Sequence, residues 1–288
     1  MTLLKILVLA IIQGAAELLP VSSSAHVIVA EKLMGLDPTA PEMTLLLVML
    51  HAGTMFAVII YFWSAWKESF FSSKKAFLDS AKLVIAATIL TGIVGLSLKF
   101  LIEKFFMKGI PHAQIEDLFG NIDLISAALF AAGVLILVAG LKTHSQSGRN
   151  CELHILEATW IGAIQGVCLP FRGFSRSGAT ISTGLLLGIA RNKIEEFSFA
   201  LAVVLTPPVI AREAWRLLKF QHARTSMPAM IHMFLPGVLA MAFSFVAGLL
   251  ALKWLSDWLE KGRWQFFGIY CVCASVTVFL LNHSAYVN

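Results

Sequence analysis

Two polar segments interrupt a strongly apolar chain, and each carries residue types that suit chemistry on a phosphate. Residues 12–26 read I-Q-G-A-A-E-L-L-P-V-S-S-S-A-H, and residues 164–180 read I-Q-G-V-C-L-P-F-R-G-F-S-R-S-G-A-T. Serine hydroxyls at the start of a helix bind anions, arginine binds phosphate through paired N–H groups, and a carboxylate can activate a nucleophile. The two segments together therefore predict phosphoester chemistry.

In the first segment the informative pair is Gln13 and Glu17. These residues are four apart, so on a helix they lie on the same face. A carboxylate within an apolar helix is costly in lipid and is normally retained for a partner, a metal ion or proton transfer. The alternatives are a structural ion pair for Glu17 and a helix-to-helix hydrogen bond for Gln13.

The serine cluster follows a helix-breaking proline. Pro20 is expected to end the first short helix, and Ser22, Ser23 and Ser24 then lie where the next helix begins. Hydroxyls, exposed amide groups and the positive end of the helix dipole form a phosphate site, although ordinary N-capping by one serine is the alternative. His26 is a candidate acid or base, or else a structural hydrogen-bonding residue.

The second segment supplies the positive charge that the first lacks. We predict that Arg176 binds phosphate, with Ser175, Ser177 and Thr180 as further substrate contacts and Arg172 as a second positive contact. The alternatives are that Arg176 pairs structurally with Glu17 or reaches the headgroups, and that Arg172 lies at the membrane interface.

The elements that must position these residues are membrane helices. Hydrophobic residues make up 58% of the chain, charged residues only 14%, and the mean hydropathy is +0.81, which is typical of an all-α polytopic membrane protein. Two regions, 3–34 and 153–190, are each broken by a polar segment and are predicted to be re-entrant helical hairpins. Six transmembrane helices are expected, over residues 43–66, 80–102, 122–142, 195–217, 231–256 and 264–283.

The two segments indicate an internal duplication. Their glutamines are 165 − 13 = 152 residues apart and their prolines 170 − 20 = 150. We therefore predict one integral membrane domain over 1–288, built from repeats of about 1–145 and 150–288. Three spans separate the hairpins, so the second repeat should be inverted relative to the first, and such repeats commonly form one shared site.

Charge gives a weak indication of orientation and partners. Nine Lys and Arg residues fall in the loops on one side of the membrane and seven on the other. Because Lys and Arg are more frequent in cytoplasmic loops, this difference favours an orientation in which both termini face away from the cytoplasm. The net charge of +5 is scattered between spans, so the expected partner is the bilayer, and no nucleic acid is expected.

At these residues the sequence resembles the undecaprenyl-diphosphate phosphatase family, the BacA-type bacitracin-resistance proteins. Residues 17–26, E-L-L-P-V-S-S-S-A-H, are similar to the family's E-F-L-P-V-S-S-T-G-H, and residues 173–180, G-F-S-R-S-G-A-T, to its P-G-x-S-R-S-G-A-T. The resemblance covers the whole chain. It implies removal of the terminal phosphate from a polyprenyl diphosphate at the outer face of the bacterial inner membrane, for cell-wall synthesis and bacitracin resistance, with Mg²⁺ or Ca²⁺ as cofactor.

The resemblance also assigns roles. It implies that Glu17 occupies the family's second acidic position and binds the metal, that Ser23 is the nucleophile, and that His26 and Arg176 complete the catalytic set. Three residues depart from the family pattern. Gln13 stands in place of an acidic residue, Arg172 in place of a proline, and Ala25 in place of a glycine.

Two other functions are compatible with the sequence. A flippase or transporter of polyprenyl phosphate or another anionic lipid is the main alternative, because inverted repeats are also a transporter design and Gln13 removes one carboxylate. A scaffold whose polar segments only join helices is the other. A homodimer is a further expectation about partners.

Overall fold

The computed structural model describes residues 2–36, 41–105, 118, 120–145, 152–221 and 227–283, and its regular elements are all helices. The prediction of an all-helical membrane protein is confirmed. In chain order the helices are α1 (Leu3–Leu18), α2 (Ser23–Leu33), α3 (Pro41–Ser69), α4 (Lys74–Phe105), α5 (Ile122–Ser145), α6 (Ile155–Cys168), α7 (Arg176–Leu186), α8 (Arg191–Gln221), α9 (Met227–Glu260) and α10 (Trp264–His283).

Five of the described helices are long and apolar enough to cross a membrane. The crossing segments lie in α3, α4, α5, α9 and α10. The remaining expected span, 195–217, falls within α8. This helix has 31 residues, contains Pro207 and Pro208, and is not among these five. The expected count of six spans and two re-entrant hairpins is therefore not confirmed.

Each polar segment folds as two short helices joined by a turn. In the first hairpin α1 ends at Leu18, two residues before Pro20, and in the second α6 ends at Cys168, two residues before Pro170. Proline lacks the N–H group that would continue a helix and clashes with the preceding turn. Both regions thus form the helix pairs that the sequence predicts, and in each pair a serine directly precedes the second helix, Ser22 before α2 and Ser175 before α7.

The hairpins are fixed by close contacts with long helices. Helix α1 packs on α9 and α6 packs on α4. A Cβ atom added at Gly14 would lie 2.7 Å from the Ser244 carbonyl oxygen, and one added at Gly166 would lie 2.8 Å from the Thr91 carbonyl oxygen. Small residues at these crossings let the backbones approach closely, as is usual between membrane helices.

The second hairpin also rests on the pair formed by α5 and α10, which pack extensively against each other, and α7 packs on α5. Ile136 of α5 and Ile181 of α7 are fully buried in the same apolar cluster. Gly173 has φ +100°, and a Cβ atom there would overlap the Ile125 carbonyl oxygen of α5. The turn before α7 is therefore held against α5 by a backbone contact that only glycine allows.

Candidate active site

The turns of the two hairpins meet around a cavity of about 150 Å³. Eight of the eleven residues predicted for the site line it, four from each hairpin: Glu17, Ser22, Ser23, Ser24, Arg172, Ser175, Arg176 and Ser177. Residues of both polar segments therefore lie around the same cavity. The other three, Gln13, His26 and Thr180, do not line the cavity.

Glu17 connects the functional groups of both hairpins. The Ser23 hydroxyl donates a hydrogen bond to Glu17 Oε2 at 2.6 Å. Arg176 Nη2 donates to the other oxygen, Oε1, at 3.5 Å, although the two residues are 159 positions apart. The Glu17 side chain is 20% exposed, so the ion pair with Arg176 is partly shielded from solvent. A hydroxyl, its proton acceptor and a cation thus lie in one chain of contacts.

Arg176 keeps part of its hydrogen-bonding capacity unused. Its Nη1 atom is buried and has no hydrogen-bond partner among the described residues. Arg176 is also the first residue of α7, where helix amide groups and the helix dipole favour negative charge. A buried N–H group without a partner is costly, and a phosphate oxygen in the cavity would satisfy it. This geometry favours anion binding over a purely structural pairing with Glu17.

Three of the other serines differ from Ser23 because their hydroxyls hold the turns in place, two of them by hydrogen bonds between the hairpins. Ser177 Oγ donates to the Leu19 carbonyl at 3.3 Å, and Ser24 Oγ accepts from the Gly173 amide at 3.2 Å. Ser175 caps α7 by accepting from the Gly178 amide at 3.2 Å. These residues line the cavity while also fixing its walls.

Ser22 is not an ordinary helix cap. It precedes α2 with φ 67°, a left-handed conformation that non-glycine residues seldom adopt, and its side chain makes no capping hydrogen bond. Its hydroxyl lies instead 3.3 Å from that of Ser24. The capping alternative therefore does not account for Ser22, and an unusual backbone conformation of this kind is typical of functional sites.

Gln13 lies beside the cavity, together with a residue that the sequence analysis did not identify. Gln13 Nε2 donates to Glu17 Oε2 at 3.2 Å and lies 3.3 Å from His51 Nε2. His51 belongs to α3, and its Nε2 atom is 3.9 Å from Glu17 Oε2. The signal was available, because an ionisable residue inside a predicted span is itself a candidate functional residue.

His26 and Thr180 bond away from the cavity. His26 Nδ1 donates to the Ser22 carbonyl at 2.8 Å, and its Nε2 lies 2.7 Å from the Tyr270 hydroxyl of α10. Thr180 is fully buried, with its hydroxyl 2.9 Å from the Arg176 carbonyl and 2.6 Å from the Ser198 hydroxyl. The structure thus shows positioning contacts for both, and their predicted catalytic and substrate-binding roles stay predictions.

Two further contacts shape the cavity. Gln165, the second-repeat counterpart of Gln13, lines it; its Nε2 donates to the Thr91 hydroxyl at 3.0 Å, and its buried Oε1 has no partner within the described part of the chain. Arg172 is exposed at the cavity edge and interacts electrostatically with Glu31, which is buried on α2. Neither Gln165 nor Glu31 was predicted from the sequence.

The fold and the site define a helical, multi-pass membrane protein with a cavity between two hairpins that is lined by serines, Glu17 and Arg176. The sequence profile of the family described as bacitracin resistance protein BacA matches residues 6–277. The chain belongs to the BacA family, which confirms the resemblance seen in its motifs.

Individual relatives agree with this assignment. A protein of Acinetobacter baylyi named undecaprenyl-diphosphatase 2 is 58% identical over 283 residues, covering 98% of each chain. A protein of the same name from Burkholderia ambifaria is 34% identical, covering 96% of this chain and 95% of the relative. An undecaprenyl-diphosphatase of Rhodopirellula baltica is 29% identical, covering 97% of this chain and 98% of the relative.

Proposed function

We propose that this protein removes the terminal phosphate from a polyprenyl diphosphate, undecaprenyl diphosphate in particular, releasing inorganic phosphate and the monophosphate carrier lipid. The observation that carries the proposal is the chain of contacts from Ser23 through Glu17 to Arg176 across the two hairpins. The relatives' names give the substrate. The product serves cell-wall synthesis, and the activity accounts for the bacitracin resistance in the family's description.

The reaction needs a nucleophile, a proton acceptor and a positive charge near the phosphoryl oxygens. Ser23 Oγ already donates its proton toward Glu17 Oε2, so attack by this oxygen on the terminal phosphorus transfers the proton to the carboxylate. Alternatively, Ser23 orients a water molecule whose proton Glu17 accepts. In both routes the anhydride P–O bond breaks, the monophosphate oxygen leaves with the bond electrons, and Arg176 stabilises the charge on the phosphoryl oxygens.

In the first route the phosphoryl group is now bound to Ser23, and Glu17 passes its proton to the departing monophosphate. Glu17 then accepts a proton from a water molecule that attacks the phosphorus, the Ser23 O–P bond breaks, Ser23 Oγ takes the proton back from Glu17, and inorganic phosphate is released.

A divalent cation is part of the proposal. Glu17 Oε2 is surrounded by a carboxamide and an imidazole, which are groups that fit a divalent cation. No group of three or more His, Cys, Asp or Glu side chains suited to a metal lies within the described ranges; in this proposal Glu17 supplies the carboxylate ligand. Mg²⁺ or Ca²⁺ bound there would polarise a phosphoryl oxygen.

The proposed setting is the bacterial inner membrane, with the site open to the outer side. The order of the helices supports an inverted repeat, since α1–α5 and α6–α10 each comprise two short helices followed by three long ones. Helix α1 packs on α9 as α6 packs on α4, which is the exchange expected when two repeats share a site. A homodimer in the bilayer completes this proposal.

The decisive experiment is phosphate release from undecaprenyl diphosphate by the purified protein in detergent, with and without divalent cations. We expect metal-dependent release that falls by about 10²–10³-fold in Arg176→Ala, because a donor to the phosphoryl oxygens is lost. Lys193→Ala, which removes a surface partner of Glu152, is the control. If the folded protein binds the lipid without releasing phosphate, the proposal fails and the flippase alternative replaces it.

A further inference from the structure

A buried carboxamide at the cavity wall leaves one of its two polar atoms unused. Gln165 of α6 is fully buried and lines the cavity. Its Nε2 donates to the Thr91 hydroxyl at 3.0 Å, whereas its Oε1 is buried and has no hydrogen-bond partner among the described residues. A buried acceptor without a partner is costly. Oε1 is therefore the atom of this side chain that remains for a ligand.

The contacts of Thr91 fix the orientation of this carboxamide. The Thr91 hydroxyl oxygen lies 2.9 Å from the Ala87 carbonyl oxygen and 2.9 Å from the Gly162 carbonyl oxygen. Carbonyl oxygens only accept, and a hydroxyl has one hydrogen, so this hydrogen points to a carbonyl and a lone pair remains for Gln165. The atom of Gln165 next to Thr91 must therefore be the nitrogen, because an oxygen there would meet no hydrogen.

A hydrogen-bond donor in the same cavity is also unpaired. Arg176 lines the cavity, and its Nη1 is buried without a partner in the described ranges. A ligand that satisfies both side chains must accept a hydrogen bond from Nη1 and donate one to Gln165 Oε1. A sulfate or a fully ionised phosphate has only acceptors, so it would place a negative oxygen against Oε1. A phosphate that keeps a proton on one oxygen offers both an acceptor and a donor.

We propose that Gln165 is a specificity-determining residue that accepts a hydrogen bond from a protonated phosphoryl oxygen, so that the cavity binds the singly protonated terminal phosphate in preference to fully ionised tetrahedral anions. Arg176 attracts the anion, and Gln165 distinguishes the form that keeps a hydrogen. A site built to pair with a substrate O–H group rejects an analogue without it, because the buried acceptor then stays unpaired. The inference rests on the proposed function for the identity of the substrate.

The test compares the binding of inorganic phosphate and sulfate in mildly alkaline buffer. Under these conditions the two ions have the same shape and charge, and phosphate carries one hydrogen that sulfate lacks. The dissociation constants are measured from the rise in melting temperature of the full-length protein in detergent as each ion is added. We expect sulfate to bind about 10–100-fold more weakly than phosphate, because it leaves Oε1 of Gln165 unpaired.

Gln165→Met removes both polar atoms while keeping a long, unbranched side chain. We expect the dissociation constants of phosphate and sulfate to come within about threefold of each other in this variant, since no acceptor distinguishes the ions. Gln265 of α10 provides a matched control, because its Oε1 is also buried without a partner in the described part of the chain but it does not line the cavity. Gln265→Met should keep the wild-type preference.

Thr91→Val tests the orientation of the carboxamide without changing Gln165. Valine keeps the size of threonine but has no lone pair to hold Nε2, so the carboxamide can rotate and present Nε2 to the anion. The preference for phosphate over sulfate should fall in this variant as well. Thr88→Val removes a hydroxyl of the same helix that is bonded to the Val84 carbonyl, and it should keep the preference. These variants test the inference even if Gln165→Met does not fold.

Several results would overturn the inference. These are no phosphate binding by the folded wild-type protein, equal affinity of that protein for phosphate and sulfate, and an unchanged preference in Gln165→Met or in Thr91→Val. A Gln165→Met protein that melts at a lower temperature but keeps the preference would show that Gln165 only holds α6 against α4.

Phosphate release from undecaprenyl diphosphate, measured on the same samples, separates this inference from the proposed function. Release by a protein that binds sulfate as tightly as phosphate would keep the phosphatase and discard the role of Gln165. A preference for phosphate that depends on Gln165, in a protein that releases no phosphate from the lipid, would keep that role and discard the phosphatase.

Discussion

At the scale of single residues, the chemistry depends on one carboxylate with several partners. Glu17 accepts from Ser23 and Gln13 on one oxygen and from Arg176 on the other. Because Gln13 carries no charge, Glu17 is the carboxylate that can accept a proton in this group. Changes at Glu17 and Gln13 therefore test the proposed roles most directly.

Glu17→Gln should abolish proton acceptance while keeping the size of the side chain. We expect the turnover number for phosphate release to fall by about 10²–10⁴-fold, with little change in the melting temperature. Glu152→Gln, on a carboxylate that is 76% exposed, is the control. Turnover by the Glu17→Gln protein close to that of the wild type would exclude a catalytic role for Glu17.

Gln13→Glu should restore a second carboxylate next to Glu17 Oε2. We expect metal-dependent turnover to be preserved or raised, because two carboxylates and His51 would bind a divalent cation more strongly than one carboxylate does. The measurement is turnover as a function of Mg²⁺ and Mn²⁺ concentration. A loss of activity at saturating metal would show that the neutral amide of Gln13 is required.

At the scale of helices, the hairpins depend on close crossings with their neighbours. Gly166 of α6 lies against Thr91 and Val94 of α4, where an added Cβ atom would lie 2.8 Å from the Thr91 carbonyl oxygen and 2.7 Å from Val94 Cβ. Gly92, one residue after Thr91, has open space where an added Cβ atom would lie. Comparing alanine substitutions at the two glycines therefore separates the effect of helix packing on stability from the general effect of replacing glycine within a helix.

Gly166→Ala should force α6 away from α4. We expect the free energy of unfolding to fall by about 1–3 kcal/mol, the usual effect of overpacking a close contact. Gly92→Ala should leave the stability unchanged or slightly raised, because alanine favours the helix. Thermal unfolding in detergent, followed by circular dichroism, compares the two. Equal melting temperatures for both variants would show that the crossing tolerates separation.

At the scale of the whole molecule, the site and the lipid tail occupy different places. The cavity of about 150 Å³ carries the charged and hydroxyl groups of both hairpins and is expected to hold the phosphorylated head, whereas a polyprenyl tail must lie along the apolar surface. Large apolar side chains are exposed on that surface, including Leu96 of α4 and Leu250 of α9. The reacting groups are therefore expected to contact the head group only.

A diphosphate with a short prenyl chain should still be hydrolysed. We expect its turnover number to stay within about tenfold of that for the long substrate while KM rises, because tail contacts contribute uniform binding energy. Steady-state kinetics with a series of prenyl chain lengths provides the measurement, with Arg176→Ala as the inactive control. A turnover number that falls steadily with chain length would instead show that the tail helps to align the head.

Much of this arrangement follows from local sequence. Prolines and serine clusters are sufficient to predict the two helix pairs, and the internal repeat predicts that the two polar segments face one site. His51, Gln165 and Tyr270 could not be placed in this way, because their contacts depend on how long helices rotate and pack against the hairpins. The left-handed conformation of Ser22 was also missed, since no residue type signals it.

The contact between Glu17 and Arg176 has a consequence for biosynthesis. Glu17 belongs to the first half of the chain and Arg176 to the second. A nascent chain that contains only α1–α5 is therefore expected to be inactive. Activity is expected to begin only when the second hairpin packs against the first. Two separately translated fragments, divided between α5 and α6, should therefore each be inactive and should regain phosphate release when they are co-expressed.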